Sequence, residues 1–323
     1  MARLIPMSLD PQKTAFIFPG QGSQVVGMGR ALVESDQAAV EVFKQADHIL
    51  GYSISKLCWE GTTEVLNDTQ YTQPALLTHS IAVLRTFQHR YPEFEPAYTA
   101  GHSLGEFSAL VAAGALTFPD ALRLVRERGQ AMKASGERQP GGMAAVLGLE
   151  LSKVEEACRL ISSRDEGSIW VANDNCPGQV VISGDQDALA VASKRLVEEG
   201  ARKVVRLAVS IASHSPIMKY AQEHFNLILQ TTPIHHPQIP TIGNVSAEPL
   251  SSASLVRGDL GAQLTSRVRW AESIQAMIDT GITTFLEMGP GNVLTGLLKR
   301  IDRSITGWAL NTPASFISLA ETL

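Results

Sequence analysis

A serine flanked by glycines is the first group in this chain that could do covalent chemistry. Gly101-His102-Ser103-Leu104-Gly105 reads G-x-S-x-G, the pattern of a strand–turn–helix elbow that lifts a hydroxyl above the edge of a sheet. The flanking residues supply the elements this turn requires. Ala97-Tyr98-Thr99-Ala100 is a short apolar run fit for a buried strand, and Glu106 to Ala113 reads as a helix packed on its alanines. Gly101 and Gly105 remove the Cβ atoms that would clash as the backbone doubles back. The helix N-terminus beneath Ser103 favours negative charge that develops there. The plain alternative is a serine in an ordinary strand–helix turn.

A serine hydroxyl needs a base, and eight histidines compete for the role. His102 adjoins Ser103 and points to the opposite face, as a packing or turn residue. His48, His79, His89 and His224 lie in helical stretches and read as surface or boundary residues. His235 and His236 sit between Pro233 and Pro237 as loop residues. His214 stands between a strand and the helix that Pro216 begins, in Val209-Ser210-Ile211-Ala212-Ser213-His214-Ser215-Pro216. Such a loop is where an α/β sheet keeps its functional groups. His214 is therefore either the base or a helix cap.

Arg128 is the second anomaly. In a helix over Pro119–Lys133, Ala121, Leu124, Val125, Arg128 and Met132 fall on one face, so a guanidinium interrupts an apolar stripe. A buried cation is costly unless it meets an anion, and the guanidinium fork matches a carboxylate. A substrate carboxylate, an internal Asp or Glu, or a side chain that snorkels to the surface would each satisfy it. The turn Gly20-Gln21-Gly22-Ser23 follows a strand but lacks the phosphate-loop pattern and the dinucleotide-binding glycine register. Beside the elbow, it could instead lend a backbone N–H to an oxyanion hole, whose other donor is the N–H of Leu104.

The elements that must position these groups are those of an α/β protein. Thr14-Ala15-Phe16-Ile17-Phe18 is an apolar run expected of a central parallel strand. A helix is expected from about Val25, with others near Ala38–Leu50 and Ala75–His89. From about residue 140 the pattern changes. Met143–Leu147 reads as a strand, and Ser152-Lys153-Val154-Glu155 as a capping box opening a helix to about Ile161. Strands at Ile169–Ala172 and Val180–Ser183, a helix from Asp187 to Glu199 and a strand at Lys203–Leu207 complete the order βαββαβ, a small ferredoxin-like unit. Longer elements then resume: a helix near Pro216–Leu229, a strand at Gln238–Ile242, a helix at Ala271–Thr280 and a strand at Thr284–Glu287. The small unit, residues 138–207, is thus expected as an insertion in a large hydrolase-like parallel-sheet domain made of residues 1–137 and 208–323.

Composition narrows the class. The 323 residues are 44% hydrophobic and 18% charged, enough for a packed core. A formal net charge of −5 and the lack of a basic block argue against a nucleic-acid partner. Cys58, Cys158 and Cys176 are far apart, which argues against a metal site or a disulfide framework. Met1 to Lys13 has no apolar leader-like run and no stretch approaches a membrane span. A cytoplasmic protein that does not bind membranes is the expectation.

Together these segments resemble the malonyl-CoA:acyl carrier protein transacylase family, which includes stand-alone enzymes of fatty acid synthesis and the acyltransferases of polyketide synthases. The resemblance runs from about Thr14 to Leu310. It rests on Phe18-Pro19-Gly20-Gln21-Gly22-Ser23-Gln24, Thr72-Gln73-Pro74-Ala75, Gly101-His102-Ser103-Leu104-Gly105-Glu106 and Arg126-Glu127-Arg128-Gly129. Asn175-Cys176-Pro177-Gly178-Gln179, Ser213-His214-Ser215-Pro216, Asn244-Val245 and Glu287-Met288-Gly289-Pro290-Gly291-Asn292-Val293-Leu294 complete it. The family fold is a hydrolase-like α/β domain with an inserted ferredoxin-like subdomain.

The resemblance implies roles. Ser103 would be acylated and His214 its base, with the backbone N–H groups of Gln21 and Leu104 as the oxyanion hole. Arg128 would pair with the malonyl carboxylate, Gln73 would line the acyl pocket, and Asn175 the cofactor-arm side. The histidine would be oriented by main-chain carbonyl rather than by an acid, one such carbonyl coming from Val268-Arg269-Trp270. Malonyl-CoA would be the donor and a phosphopantetheinylated acyl carrier protein the acceptor, with no metal or bound cofactor and a monomeric enzyme. Arg202, Lys203, Lys299 and Arg300 would be candidates for docking the acidic carrier. Ala212, two residues before His214, leaves room for methylmalonyl, whereas Leu104 is nearer the malonyl pattern. Malonyl is favoured, with a methylmalonyl-selective polyketide acyltransferase and a serine thioesterase or esterase as the alternatives.

Overall fold

The computed structural model describes residues 9–163 and 167–322. Residues 1–8, which open the stretch read as free of a leader, and the expected domain end at residue 323 lie outside the described residues, as do residues 164–166.

The first strand, β1 (Thr14–Phe18), is buried along its whole length, as its unbroken apolar run demands. Helices α1 (Arg30–Ser35), α2 (Gln37–Leu50), α3 (Ile54–Glu60), α4 (Thr63–Asn67) and α5 (Thr69–Arg90) follow. The helix expected from Val25 begins only at Arg30, because Gly27 and Gly29 hold φ of 95° and 83°, outside helical space. The elbow comes next, with β2 (Tyr98–Gly101) leading into α6 (Gly105–Ala112), and then α7 (Phe118–Arg138), which carries Arg128.

The small unit consists of β3 (Gly142–Leu147), α8 (Leu151–Ser162), β4 (Ile169–Cys176), β5 (Gln179–Gly184), α9 (Gln186–Glu198) and β6 (Lys203–Arg206). Its antiparallel sheet has the order β4-β5-β3-β6, with the two helices packed on one face through Val154, Ile161, Leu189 and Leu196. β4 continues to Cys176, past the expected end at Ala172, since Asn173 to Cys176 still pair with β5 through two register shifts. The expected capping box is not formed: Glu150 is the N-cap of α8 and no side chain caps it.

Beyond the small unit come α10 (Lys219–Thr231), β7 (Thr241–Ile242), β8 (Pro249–Leu250), α11 (Ala253–Gln263) and α12 (Trp270–Asp279). The chain closes with β9 (Thr284–Met288), α13 (Val293–Ile301), β10 (Thr306–Leu310) and α14 (Pro313–Thr322). The large sheet has the order β10-β9-β1-β2-β7-β8 and is parallel except at β7–β8. Alternate residues of β1 feed different cores. Phe16 and Phe18 pack with α5 and α6, whereas Ala15 and Ile17 pack with α12 and α13. The sheet is therefore covered on both faces, which leaves its edges for function. The register aligns Phe18 with Gly101 and Ile17 with Glu287, so the loops after β1, β2 and β9 emerge side by side at one carboxyl edge.

Candidate functional site

At that edge the elbow is forced by backbone contact. A Cβ on Gly101 would lie 1.9 Å from the carbonyl carbon of Gly105, and one on Gly105 would lie 2.0 Å from the Phe18 oxygen. Ser103 takes a φ of 52°, a left-handed conformation rare for a side chain of its type. Asn244 holds it there. Its Oδ1 accepts from the Ser103 backbone N–H at 2.6 Å and its Nδ2 donates to the Gly101 carbonyl at 2.6 Å. Asn244 was legible only as part of a family motif, and its clamp on the elbow was not foreseen.

His214 reaches the same point from the loop after β6, also in a left-handed conformation, with φ of 60°. Its Nε2 lies 2.8 Å from Ser103 Oγ. Its Nδ1 lies 3.0 Å from the main-chain oxygen of Gln263 and donates to it, so Nε2 is the free acceptor facing the serine. His214 is buried, and burial together with the nearby Arg128 charge pulls its pKa from 6.5 to about 3. At neutral pH the imidazole is uncharged and able to take a proton.

The orienting carbonyl is thus that of Gln263, not one from Val268-Arg269-Trp270. Gln263 ends α11, where the last carbonyls have no intrahelical donor and are open to other partners. Val268 instead bonds β4 through Ala172 and Asp174, and Arg269 pairs with Glu272. Gln263 escaped sequence reasoning because a main-chain acceptor leaves no side-chain signature.

Arg128 is 1% exposed and faces the nucleophile. Its Nη1 donates to Gln73 Oε1 at 2.8 Å, and its Nη2 to Gln263 Oε1 at 2.8 Å and to Ser103 Oγ at 3.2 Å. The surface and ion-pair alternatives fail: the side chain does not snorkel out, and its hydrogen-bond partners are amides and a hydroxyl. Burial lowers its pKa to about 10, so it remains a cation. Gln73 lies beside it in α5, with Nε2 3.0 Å from Thr69 Oγ1 and 3.3 Å from Gln21 Oε1. Thr69 Oγ1 also donates to Gln21 Oε1 at 2.9 Å, which anchors the loop after β1. That loop abuts the elbow so closely that a Cβ on Gly20 would lie 2.4 Å from the His102 oxygen. Among the described residues, neither the Gln21 nor the Leu104 backbone N–H has a protein hydrogen-bond partner.

His102 Nε2 lies 2.8 Å from Asn175 Oδ1, and the ring meets Trp270 edge-on at 5.5 Å. Asn175 is therefore brought to the elbow's neighbouring residue rather than to Ser103 itself. His79 departs from the expected surface position: it is 1% exposed inside α5, and burial pulls its pKa to about 4. Arg202 and Lys203 at the start of β6 and Lys299 and Arg300 at the end of α13 are all exposed. Arg300 bonds the β4–β5 turn at Pro177 O, 2.9 Å, and Gln179 Oε1, 2.7 Å. The Gly148 N–H donates to the Gly178 carbonyl of that turn, and Gly148 abuts Arg202, so the two arginines flank one surface. Among the described residues no group of three or more His, Cys, Asp or Glu is placed to hold a metal, and no helix is long and apolar enough to cross a membrane.

Comparison with known proteins places the whole chain. Residues 15–314 match the acyl transferase domain family. The chain is 43% identical over 312 residues to the malonyl CoA-acyl carrier protein transacylase of Bacillus subtilis, covering 96% of this chain and 97% of that one. An acyl carrier protein S-malonyltransferase structure from Vibrio cholerae superposes with a TM-score of 0.91 at 40% identity, over 95% of this chain and 100% of the other. A malonyl-transacylase solved in complex with the holo acyl-carrier protein of a type II polyketide synthase superposes with a TM-score of 0.93 at 38% identity, over 97% and 100% of the two chains. An α/β core with a small antiparallel subdomain, a serine–histidine pair and a buried arginine thus occur together with full-length similarity, and the chain belongs to the malonyl-CoA:acyl carrier protein transacylase family.

Proposed function

We propose that this protein moves a malonyl group from malonyl-CoA to the phosphopantetheine thiol of an acyl carrier protein by way of a malonyl ester on Ser103. The observation that carries this reading is Arg128: a buried cation held 3.2 Å from the nucleophile, with only neutral hydrogen-bond partners. A carboxylate on the acyl group supplies the missing anion, and the guanidinium fork binds it bidentately in place of the amide oxygens.

The cycle then follows from the geometry. His214 Nε2 takes the Ser103 proton as Oγ attacks the thioester carbonyl, and the Gln263 carbonyl steadies the imidazolium. The N–H groups of Gln21 and Leu104 hold the tetrahedral oxyanion, each worth about 3–4 kcal/mol in the barrier. Collapse expels the coenzyme A thiolate, which takes the proton from His214 and leaves the malonyl ester. The carrier's thiol then gives its proton to His214, attacks the ester, and releases Ser103 as the proton returns to Oγ. No bound cofactor takes part.

In this reading residues 138–207 are the inserted unit; within them Asn175 meets His102, and Arg202 lies against Gly148. Arg202, Lys203, Lys299 and Arg300 form the basic surface proposed to meet the acidic carrier. Three buried free thiols suit the reducing cytoplasm. The esterase reading would place an acid on His214 Nδ1, where a main-chain carbonyl stands instead. Incubation with malonyl-CoA and a holo carrier protein tests the proposal. The carrier should gain one malonyl mass as coenzyme A appears; coenzyme A release with an unmodified carrier would make the protein a hydrolase.

A further inference from the structure

Glu106 is a fully buried acid that the malonyl-transfer cycle does not use. It lies in the first turn of α6, just past Ser103, and its Oε2 accepts from Gln263 Nε2. Gln263 touches Ser103, His214 and Arg128 together. Its Nε2 also donates to the Ser103 carbonyl at 3.1 Å, its Oε1 accepts from Arg128 at 2.8 Å, and its main-chain oxygen accepts from His214 at 3.0 Å. An amide offers one oxygen and one nitrogen, so the partner on Nε2 decides which end meets Arg128.

The other acid whose charge bears on Glu106 is Asp259. Asp259 lies one turn before Gln263 on α11. It accepts from the backbone N–H groups of Val245 and Ser246 and from Ser246 Oγ, each at 3.2 Å. Its donors are thus in place, whereas Glu106 Oε1 is buried with none. Neighbouring carboxylates repel, and a buried charged oxygen without a donor is costly; a proton on Glu106 removes its charge and with it both penalties.

Resting on the malonyl-transfer reading, we infer that Glu106 is a neutral carboxylic acid that sets acyl specificity. It fixes the Gln263 amide and leaves Arg128 an uncompensated cation for the substrate carboxylate. An ionised Glu106 would be the internal counter-ion of Arg128, and an acyl group without a carboxylate would lose its handicap. The charged groups facing it are Asp259 on α11 and Arg128 on α7. Burial, aided by Asp259, pushes the Glu106 carboxyl well above its usual range, against the opposing pull of Gln263 and Arg128. The N-terminus of α6 also favours the anion but offers Glu106 no N–H bond.

Infrared difference spectroscopy reads the acid directly, without any assumption about the reaction. At neutral pH the wild-type protein should show the carbonyl stretch of a buried carboxylic acid, and Glu106→Gln should lack it. In kinetics, Glu106→Leu should lower kcat/KM for malonyl-CoA about tenfold or more and erode its preference over acetyl-CoA, and the neutral Glu106→Gln should rescue most of both. Asp259→Asn, which removes the neighbouring charge and lets Glu106 ionise, should raise KM for malonyl-CoA about tenfold with a smaller change in kcat. A missing acid band, a Glu106→Gln variant as impaired as Glu106→Leu, or an unchanged KM in Asp259→Asn would each overturn the inference. Loss of malonyl transfer with the band intact would instead count against the proposed reaction.

Discussion

His214 Nδ1 donates to the main-chain oxygen of Gln263 at 3.0 Å, and no carboxylate stands at that position. The imidazolium formed during attack is therefore stabilised by a dipole rather than by a full charge. The same burial keeps His214 neutral, with Nε2 free to accept the serine proton.

Acid should unfold this protein earlier than its carboxylates alone would. His214 and His79 have folded pKa values of about 3 and about 4, against 6.5 for an exposed histidine. Between these folded values and 6.5 the unfolded chain binds up to one more proton at each of these sites than the folded one. Stability contributed by their neutral burial is thus present above pH 6.5 and lost as pH falls below it, at up to about 1.4 kcal/mol per pH unit for each histidine. Denaturant titrations from pH 7 to 5 check this, with His79→Gln expected to lower the slope.

Arg128→Ala should discriminate substrates rather than inactivate. Removing one partner of a buried, hydrogen-bonded charge pair costs about 3–5 kcal/mol, so kcat/KM for malonyl-CoA should fall by roughly two to four orders of magnitude. Turnover of acetyl-CoA should hold steady or rise, since no buried cation remains to be left unmatched. Parallel kinetics with the two thioesters check the point; an equal loss for both would make Arg128 structural.

Gly101→Ala should destroy the elbow itself. The new Cβ would lie 1.9 Å from backbone that has no way to move aside without breaking the β2–α6 turn. A loss above about 4 kcal/mol is expected, seen as a lowered Tm or an insoluble chain.

The elbow was readable because its geometry demands particular residue types at particular spacings: glycine where 1.9 Å contacts forbid a Cβ, and serine at the apex. Arg128 was readable because helical periodicity assigns it to the buried face of α7, as the structure places it. Gln263 was not, and Asn244 only as part of a family motif. Gln263 orients His214 through a main-chain oxygen that any residue supplies, and Asn244 clamps the elbow through an amide that follows the short β7 (Thr241–Ile242), whose two residues carry no pattern. Likewise His79 looked like a surface residue because α5 is buried on nearly every side and so lacks the polar face by which a histidine is placed.

The most direct measurement is the intact mass of the protein after brief mixing with malonyl-CoA, alongside Ser103→Ala. The account predicts one malonyl adduct on the wild-type chain, mapped to the peptide containing Ser103, and none on the variant. An adduct that survives in Ser103→Ala, or carrier malonylation by that variant at the wild-type rate, would contradict it.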